Sequence, residues 1–221
     1  MTDVKLISFS QAPDGWDGYD CQELIAYCAR VSNPSNQMNS ETSEKLIKYL
    51  IRHKHWSPLE MVNVCLEINT TRDIAHQIVR HRSFSFQEFS QRYADPKEFG
   101  EQFVTREARL QDTKNRQNSI ELDIDSELHY EWEIEQRKVI DKAKEVYEWA
   151  IKNGIAKEQA RVVLPEGCTK TRLYMNGTLR SWVHYIDLRG ANGTQKEHME
   201  IAHACATVIG KVFPLIESLD D

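Results

Sequence analysis

Residues 62–82 read VNVCLEINTTRDIAHQIVRHR, and this stretch decides the fold. Apolar residues alternate with polar or small ones from Val62 to Ile68, which predicts a β-strand with one buried face. The residues that follow are typical of a helix start, and apolar side chains then recur at helical spacing. The sequence therefore predicts a strand that leads through a short helix into the cationic triplet Arg80-His81-Arg82.

The regions on either side of this stretch predict one further strand and several helices. The further strand covers residues 4–9, and residues 83–93 favour an extended segment because aromatic and polar residues alternate at its start. Apolar spacing and capping signals predict helices over 23–31, after 39–42, and over about 126–153, 159–163, 179–188 and 195–212. The inward stripe of the longest helix is predicted to be Trp132, Val139, Ala143, Val146 and Ala150.

The polar residues 95–120 are predicted to form a long loop or insertion, to which we assign no role. No linker divides the chain. The sequence therefore predicts one α+β domain over residues 1–221, with a helix-rich C-terminal half.

The composition is that of a globular protein. The chain has 221 residues, of which 40% are hydrophobic and 28% charged, so it can bury a sizeable core. Disordered, collagen-like and purely coiled-coil proteins are thereby excluded. No apolar run approaches the roughly 18 residues of a membrane helix, and the N-terminus lacks the apolar core of a signal peptide. We therefore expect a cytoplasmic protein with no membrane partner.

The negative charge of the chain is local. The formal net charge is −6, but residues 121–135 contain seven acids and no Lys or Arg. Outside that stretch, basic residues slightly outnumber acids, so the remaining surface can still form a cationic pocket. The overall sign argues against a general nucleic-acid binder, which usually carries a basic excess.

The cysteine and histidine patterns predict neither a disulfide framework nor a metal site. The five cysteines are odd in number, and no two are spaced C-x-x-C. The paired histidines, at 53 and 55 and at 198 and 203, do not match common metal-site spacings. We expect buried, reduced thiols and no bound metal.

Arginines are concentrated between residues 72 and 92. This segment holds four arginines and two histidines against Asp73 and Glu88, which favours an anionic ligand because a guanidinium binds phosphate with two hydrogen bonds. The alternative is a solvated basic helix end. Ser90-Gln91-Arg92 suits a phosphate cradle or, alternatively, a plain surface turn.

A second cationic group lies on the predicted helix 179–188. Arg180 and His184 share one face and Arg189 follows at the end, although a simple amphipathic helix is the alternative. Motifs for an activated nucleophile, a P-loop or a dinucleotide fold are absent from the sequence. This combination fits chemistry carried by a bound cofactor, with the protein supplying orientation and charge.

Five segments of the chain resemble the flavin-dependent thymidylate synthases, the ThyX family. Arg80-His81-Arg82, seven further residues and Ser90 resemble the family signature, and Gln91-Arg92-Tyr93 extends the match. The other segments, in the family's order, are ARVS at 29–32, HWSPLE at 55–60, ARVVLP at 160–165, and LRSW at 179–182 followed by Leu188-Arg189.

The resemblance implies a fold and a reaction. The fold would be a mixed or antiparallel sheet flanked by helices. The enzyme would be a methyltransferase that converts dUMP to dTMP, with 5,10-methylenetetrahydrofolate as the one-carbon donor and FAD, reduced by NADPH, as the hydride source. It would use no cysteine nucleophile. The family is homotetrameric, and its active sites are shared between subunits.

The resemblance also assigns residues. Arg189, by the pyrimidine, His55, which would help position folate, and His81, as an acid–base candidate, would be catalytic. Residues around dUMP, with Ser90 and Arg92 at its phosphate from a neighbouring subunit, would be Gln77, Arg80, Glu88, Ser90, Gln91, Arg92, Arg161 and Arg189. Residues that line FAD would be Ser32, His55, Ser57, Glu60, Arg80, His81, Arg82, Ser83, Glu88, Thr178, Arg180, His184 and Leu188.

Two other functions remain open from the sequence. In the first, the arginines belong to a non-catalytic nucleotide- or RNA-binding module in which Phe84, Phe86 and Phe89 stack on bases. In the second, the chain is a flavoprotein that binds FAD but has lost synthase activity.

Overall fold

A computed structural model describes residues 3–95, 97 and 100–219. The main sheet has four strands: β1 (Asp3–Phe9), β2 (Asn63–Thr71), β3 (Ser85–Glu88) and, last along the chain, β6 (Lys170–Thr178). Their order is β1-β2-β6-β3, and every pairing is antiparallel. A separate hairpin consists of β4 (Arg109–Gln111) and β5 (Ser119–Glu121).

Helices surround the sheet and dominate the C-terminal half, so the predicted α+β class is confirmed. They are α1 (Cys21–Ala29), α2 (Ser43–Arg52), α3 (Arg72–Ile78), α4 (Glu127–Lys152), α5 (Lys157–Ala160), α6 (Leu179–Gly190) and α7 (Lys196–Gly210). Short 3-10 turns cover Pro34–Asn36, Ser57–Met61, Arg161–Val163 and Pro214–Leu219. No helix in the described part of the chain combines the length and apolar composition that crossing a bilayer requires.

Strand β2 is the central element that the sequence predicts. Val64, Leu66 and Ile68 are fully buried, as their alternation requires. The strand continues to Thr71, three residues beyond Ile68, where the predicted alternation ends, and α3 begins at the next residue. Because β3 then pairs with β6, the segment between β2 and β3 runs back along the sheet and carries Arg80-His81-Arg82 across it.

Strand β6 was not predicted, although it pairs with both β2 and β3. Its inward row contains Thr171, Leu173 and Met175 and ends at Gly177, so only two of the four positions carry large apolar side chains. The strand passes directly into α6, and Thr178 caps that helix by accepting a hydrogen bond from the Ser181 N–H at 3.2 Å. Both central strands therefore lead straight into a helix.

Two predictions around the longest helix are wrong. Residues 95–120 are not only loop, because β4 and part of the β4–β5 hairpin lie there. The inward stripe of α4 is Gln136, Ile140, Ala143, Tyr147 and Ala150, whereas Trp132 and Val139 are exposed. Gln136 can be buried because its amide exchanges two 2.8 Å hydrogen bonds with the backbone of Arg106.

The core lies mainly between the sheet and the helices α1, α2, α6 and α7, with a smaller cluster under α4. Trp182, Tyr185 and Phe213 are the largest fully buried side chains of the main core. Trp182 also donates a 3.0 Å hydrogen bond from Nε1 to the Val64 carbonyl, which fixes α6 on β2. The single-domain organisation stays a prediction.

Candidate active site

The outer face of α6 brings together two of the segments that carry the family resemblance. Arg180, His184 and Leu188 recur every four residues and lie on its accessible side. Arg180 forms an ion pair with Glu60, and the ring of His184 meets Trp56 edge to face at 4.5 Å between centroids. Segment 55–60 therefore lies against the helix face that the resemblance assigns to the flavin.

The backbone turn that precedes segment 55–60 leaves its first residue, His55, exposed at the surface. The turn after α2 places Lys54 in the left-handed region, at φ 58°, and the His55 N–H bonds to the Leu50 carbonyl at 2.8 Å. His55 is exposed, and Ser57 opens a 3-10 turn in which Pro58 fits the first positions. A cavity of about 390 Å³ beside this turn is lined by Ile51, Lys54, Trp56, Val183, His184, Ile186, Asp187 and Ile216.

The Arg80-His81-Arg82 triplet contacts the end of α6 through its histidine. The Arg189 Nε donates to the His81 Nε2 at 2.9 Å. A guanidinium only donates, so His81 is neutral and carries its proton on Nδ1. Burial, followed by the charges of Arg189 and Arg80, lowers the pKa of His81. Arg80 and Arg82 are exposed on either side of this anchored imidazole.

The triplet rests on a packed aromatic base. The Phe84 ring lies directly over Gly177, where a Cβ atom would be only 2.4 Å from Cδ1 of the ring, and it meets Trp182 edge to face at 4.8 Å. The Ser83 carbonyl accepts a 3.2 Å hydrogen bond from the Ser181 hydroxyl. Glycine at 177 is therefore required for the close approach that fixes the loop on α6.

A separate pair of arginines, Arg92 and Arg161, lies where the loop after β3 meets α5. The Arg92 Nη2 lies 3.6 Å from the Glu158 Oε2, and the Arg161 Nε donates to the Glu158 carbonyl at 3.3 Å. Lys157 ties the loop down by donating from Nζ to the Tyr93 carbonyl at 3.2 Å. Two of the arginines assigned to dUMP thus converge on one residue at the surface.

The same loop contains a buried amide with an unused donor. Gln91 is only 3% exposed, and its Nε2 has no hydrogen-bond partner within the described residues. The preceding Ser90 begins a tight turn, in which its carbonyl accepts from the N–H groups of Tyr93 and Ala94 at 3.1 Å. An unpaired buried donor costs free energy unless a ligand or water satisfies it.

Two further residues assigned to the nucleotide are held by the protein itself. The Glu88 Oε1 accepts from the Thr171 hydroxyl at 2.9 Å and lies 3.3 Å from the Arg72 Nη1. The Gln77 side chain is hydrogen-bonded to two side chains at the start of α7. Of the remaining predicted residues, Ser32 is exposed in the turn after α1.

The predicted site residues thus form separate groups within one chain. One group is α6 with segment 55–60, the second is the triplet with Arg189, and the third is Arg92 with Arg161. Within residues 3–95, 97 and 100–219, no hydrogen bond or ion pair joins Arg92 or Arg161 to Arg189.

The thiols are unsuited to nucleophilic attack at neutral pH. All five cysteines are free, and burial raises each thiol pKa, that of Cys21 to about 11 and that of Cys205 still further. A thiol with a raised pKa carries little thiolate, which is the reactive form. In the described part of the chain, no group of three or more His, Cys, Asp or Glu side chains is arranged to hold a metal ion.

Comparisons with known proteins identify the family of this chain. The family model described as thymidylate synthase complementing protein, Thy1, matches residues 17–215. A probable flavin-dependent thymidylate synthase from Paramecium bursaria Chlorella virus 1 is 51% identical over 195 residues, 88% of each chain. The flavin-dependent thymidylate synthase of Synechocystis sp. is 48% identical over 216 residues, 97% of each chain.

A solved structure shares the fold. The UMP/dUMP methylase PolB from Streptomyces cacaoi, bound with 5-Br dUMP, superimposes with a TM-score of 0.83 at 24% sequence identity. The match covers 99% of this chain and 93% of that chain. With the family model spanning most of the sequence and relatives near half identity, the chain belongs to the flavin-dependent thymidylate synthase family.

Proposed function

We propose that the chain is a flavin-dependent thymidylate synthase that methylates dUMP to dTMP. The one-carbon unit comes from 5,10-methylenetetrahydrofolate, and NADPH supplies the reducing equivalents. The observation that carries the proposal is the hydrogen bond between Arg189 and His81, because it joins two motifs that lie 108 residues apart along the chain. Family membership and near-half identity to named synthases support the same reaction.

The chemistry of the accessible donors fits FAD. The guanidinium groups of Arg80, Arg82 and Arg180 suit the diphosphate, since arginine binds phosphate oxygens in pairs. The rings of Trp56 and His184 give an aromatic surface for the isoalloxazine. Bound FAD, once reduced, supplies the hydride. These side chains bind and orient it, and Glu60 holds Arg180 in place through their ion pair.

The nucleotide phosphate fits the group formed by Arg92 and Arg161. The phosphate would replace Glu158 as the partner of Arg92, since their 3.6 Å contact is long for a hydrogen bond. The phosphate would also provide an acceptor for the Nε2 of Gln91, a donor in the same loop that has no partner among the described residues. Because this group has no direct contact with Arg189 in one chain, we propose that a second subunit completes each site.

At the base of the nucleotide, Arg189 supplies positive charge. His81 uses only the Nε donor of Arg189, and no described residue bonds to its Nη groups. A guanidinium held in advance against the pyrimidine favours the negative charge that develops there during attack, without reorganisation at that moment. His81 acts as the acceptor that sets the guanidinium plane. Burial raises all five thiol pKa values, so none of the cysteines is suited to act as the nucleophile at neutral pH.

A homotetramer is the proposed assembly. The accessible side of α4 presents a row at the 4-3 spacing of helix–helix seams, formed by Leu128, Trp132, Val139 and Trp149. Glu135 and Lys142 occupy the same row, so they would face each other in an antiparallel pair of copies. Light scattering should give four times the chain mass of 25.8 kDa, and Val139→Glu should reduce it. A wild-type monomer would contradict this assembly.

The alternative of an RNA-binding module loses support. Phe84 and Phe86 are partly buried against the main core, which leaves less of each ring for stacking on bases, and Phe89 is also only partly accessible. This loop therefore offers little aromatic surface on which the bases of a nucleic acid could stack.

The proposal is tested by activity with a matched pair of variants. The purified protein should be yellow with added FAD and should form dTMP only when dUMP, methylenetetrahydrofolate and NADPH are all present. Arg189→Ala should keep the fold but lower dTMP formation at least about 100-fold, as loss of a preorganised charge does. Arg137→Ala, which removes an exposed ion pair with Glu133 outside the proposed seam row of α4, is the control. A wild-type protein that binds FAD and dUMP but forms no dTMP would support the inactive flavoprotein instead.

A further inference from the structure

A chain of hydrogen bonds runs through the protein behind His81, from α6 to the start of α7. The Tyr185 hydroxyl lies 3.0 Å from the His198 Nε2, and the His198 Nδ1 lies 3.2 Å from the Gln77 Oε1. The Gln77 Nε2 donates to the Gln195 Oε1 at 2.8 Å. The Gln195 Nε2 in turn donates to the Glu197 Oε2 at 2.9 Å.

The Glu197 carboxylate fixes the direction of the two bonds nearest to it, from Gln195 and from Gln77. An ionised carboxylate only accepts, so Gln195 must turn its NH₂ group toward Glu197. The carbonyl oxygen of Gln195 then faces Gln77, which must present its own NH₂ group there. The Gln77 oxygen is consequently the atom that faces His198.

The remaining two bonds follow from that orientation. An amide oxygen only accepts, so the His198 Nδ1 carries the proton and its Nε2 is an acceptor. The Tyr185 hydroxyl therefore donates to His198. Every hydrogen shared between two of these groups therefore points toward Glu197. No single bond determines the tautomer of His198 or the orientation of an amide; these follow from the series as a whole.

The end groups keep the ionisation states that this direction requires. Burial alone would raise the pKa of Glu197, but bonds from its own backbone N–H and from Gln195, with Arg106 and Arg109 nearby, lower it. The Arg109 Nη2 also bonds directly to the Glu197 Oε1 at 2.5 Å. Burial raises the pKa of Tyr185 well above its usual value, so its hydroxyl keeps its proton.

The Tyr185 end of this series of hydrogen bonds contacts the proposed active site. The Tyr185 ring meets His81 edge to face at 5.0 Å and an interplanar angle of 84°, and the His198 ring lies 6.4 Å from His81. Tyr185 and His198 are fully or almost fully buried. They therefore form the rigid wall against which the His81 ring is oriented toward Arg189.

We propose that Glu197, Gln195 and His198 are positioning residues for thymidylate synthesis. Glu197 polarises the chain in one direction, and the chain in turn fixes the Gln77 amide and the wall that orients the His81–Arg189 pair. The inference rests on the proposed function only because that function gives Arg189 its role at the nucleotide. The directions of the hydrogen bonds do not depend on the proposed function.

The direction of the chain is tested first in the wild-type protein without substrates. Long-range ¹H–¹⁵N spectra of protein labelled with ¹⁵N-histidine report which ring nitrogen carries the proton. His81 and His198 should both carry it on Nδ1 at pH 7.5, assigned by the loss of each signal in His81→Gln and His198→Gln. A proton on the His198 Nε2 would overturn the inferred direction.

The anchoring role is tested by Glu197→Gln, which keeps the size of the side chain but adds a donor. An amide at 197 allows every bond of the chain to reverse, so His198 should shift toward a mixture of both tautomers. We expect dTMP formation to fall about 10-fold in kcat with a smaller change in the KM for dUMP, as small misplacements near a reacting group do. Glu200→Gln, an exposed acid three residues further along α7, is the control.

The outcomes separate the inference from the proposed function. If Glu197→Gln leaves both the His198 tautomer and kcat at wild-type values, the positioning role is wrong. If wild type forms no dTMP while the tautomers agree and respond to Glu197→Gln, the directed chain stands and the proposed reaction fails. If the tautomer responds but kcat does not, Glu197 polarises the chain without positioning the reacting groups, which also overturns the proposal.

Discussion

The His81–Arg189 pair and the Arg92–Arg161 pair are both cationic, but the protein holds them in different ways. His81 and Arg189 bond directly to each other above buried Tyr185 on helix α6. In the described part of the chain, Arg92 and Arg161 are linked through Glu158 at the surface, by contacts of 3.6 and 3.3 Å. The first pair is preorganised within one chain, whereas the second is arranged to exchange its partner for a ligand.

Acidification should affect most the buried His198 behind the preorganised pair, whose ring lies 6.4 Å from that of His81. Burial, followed by the charge of Arg189, lowers the pKa of His198 from 6.5 to about 4. Between pH 6.5 and about 4, His198 is protonated in the unfolded chain but neutral in the folded chain, so the unfolded chain binds more protons. The free energy of unfolding should therefore fall as the pH falls from 6.5 to about 4, by roughly 3 kcal/mol from His198 alone.

Urea unfolding at pH 7 and pH 4.5 measures this loss. His198→Gln should reduce the pH dependence, because glutamine carries no proton to gain, while His203→Gln on the exposed side of α7 should leave it unchanged. An equal dependence in wild type and His198→Gln would mean that His198 is not held neutral by its surroundings. The Arg92–Arg161 pair should contribute little over this range.

Gly177→Ala should break the base of the preorganised pair. The added Cβ would lie 2.4 and 2.6 Å from two atoms of the Phe84 ring, so the ring and the attached triplet must move. We expect the free energy of unfolding to fall by about 2 kcal/mol, typical of overpacking, with a parallel loss of dTMP formation. Gly167→Ala is the control, since its nearest described atom lies at 4.0 Å. Equal stability of the two variants would show that Phe84 can yield.

Arg161→Ala should weaken nucleotide binding without changing the fold. A charge-assisted hydrogen bond contributes about 1.5–3 kcal/mol, so the Kd for dUMP should rise about 10-fold or more in calorimetry. The free energy of unfolding should stay within about 0.5 kcal/mol, because the contact with Glu158 is exposed. Arg52→Ala, at the exposed end of α2, should change neither quantity. Unchanged dUMP affinity would remove Arg161 from the phosphate site.

Some elements of the fold could be predicted from the sequence, whereas others could not. Strand β2 was predictable because its inward row is uniformly apolar, and α6 because capping and spacing agree. Strand β6 was missed because Thr171 and Gly177 weaken its inward row, although the alternation is present. The α4 stripe was misplaced because a buried glutamine looks polar until its backbone partner is known.

For the site, the motifs identified charged side chains but not their partners. Arginine density and family resemblance pointed to Arg80, Arg92 and Arg189. The partners of His198 could not be predicted, because Gln77 lies 121 residues away and the pairing depends on how α3 and α7 pack. A lone histidine in an apolar helix gives no periodic signal for such a bond.

The smallest expected effect is the sharpest test of the exchangeable pair. Glu158→Gln removes the charge next to Arg92, and exposed ion pairs contribute about 0–1 kcal/mol, so the free energy of unfolding should hardly change. If phosphate replaces Glu158 as the partner of Arg92, dUMP should bind up to a few-fold more tightly at low ionic strength. Salt should weaken this gain, because the competing charges are exposed. Weaker dUMP binding in Glu158→Gln would mean that Glu158 orients Arg92 for the nucleotide rather than competing with it.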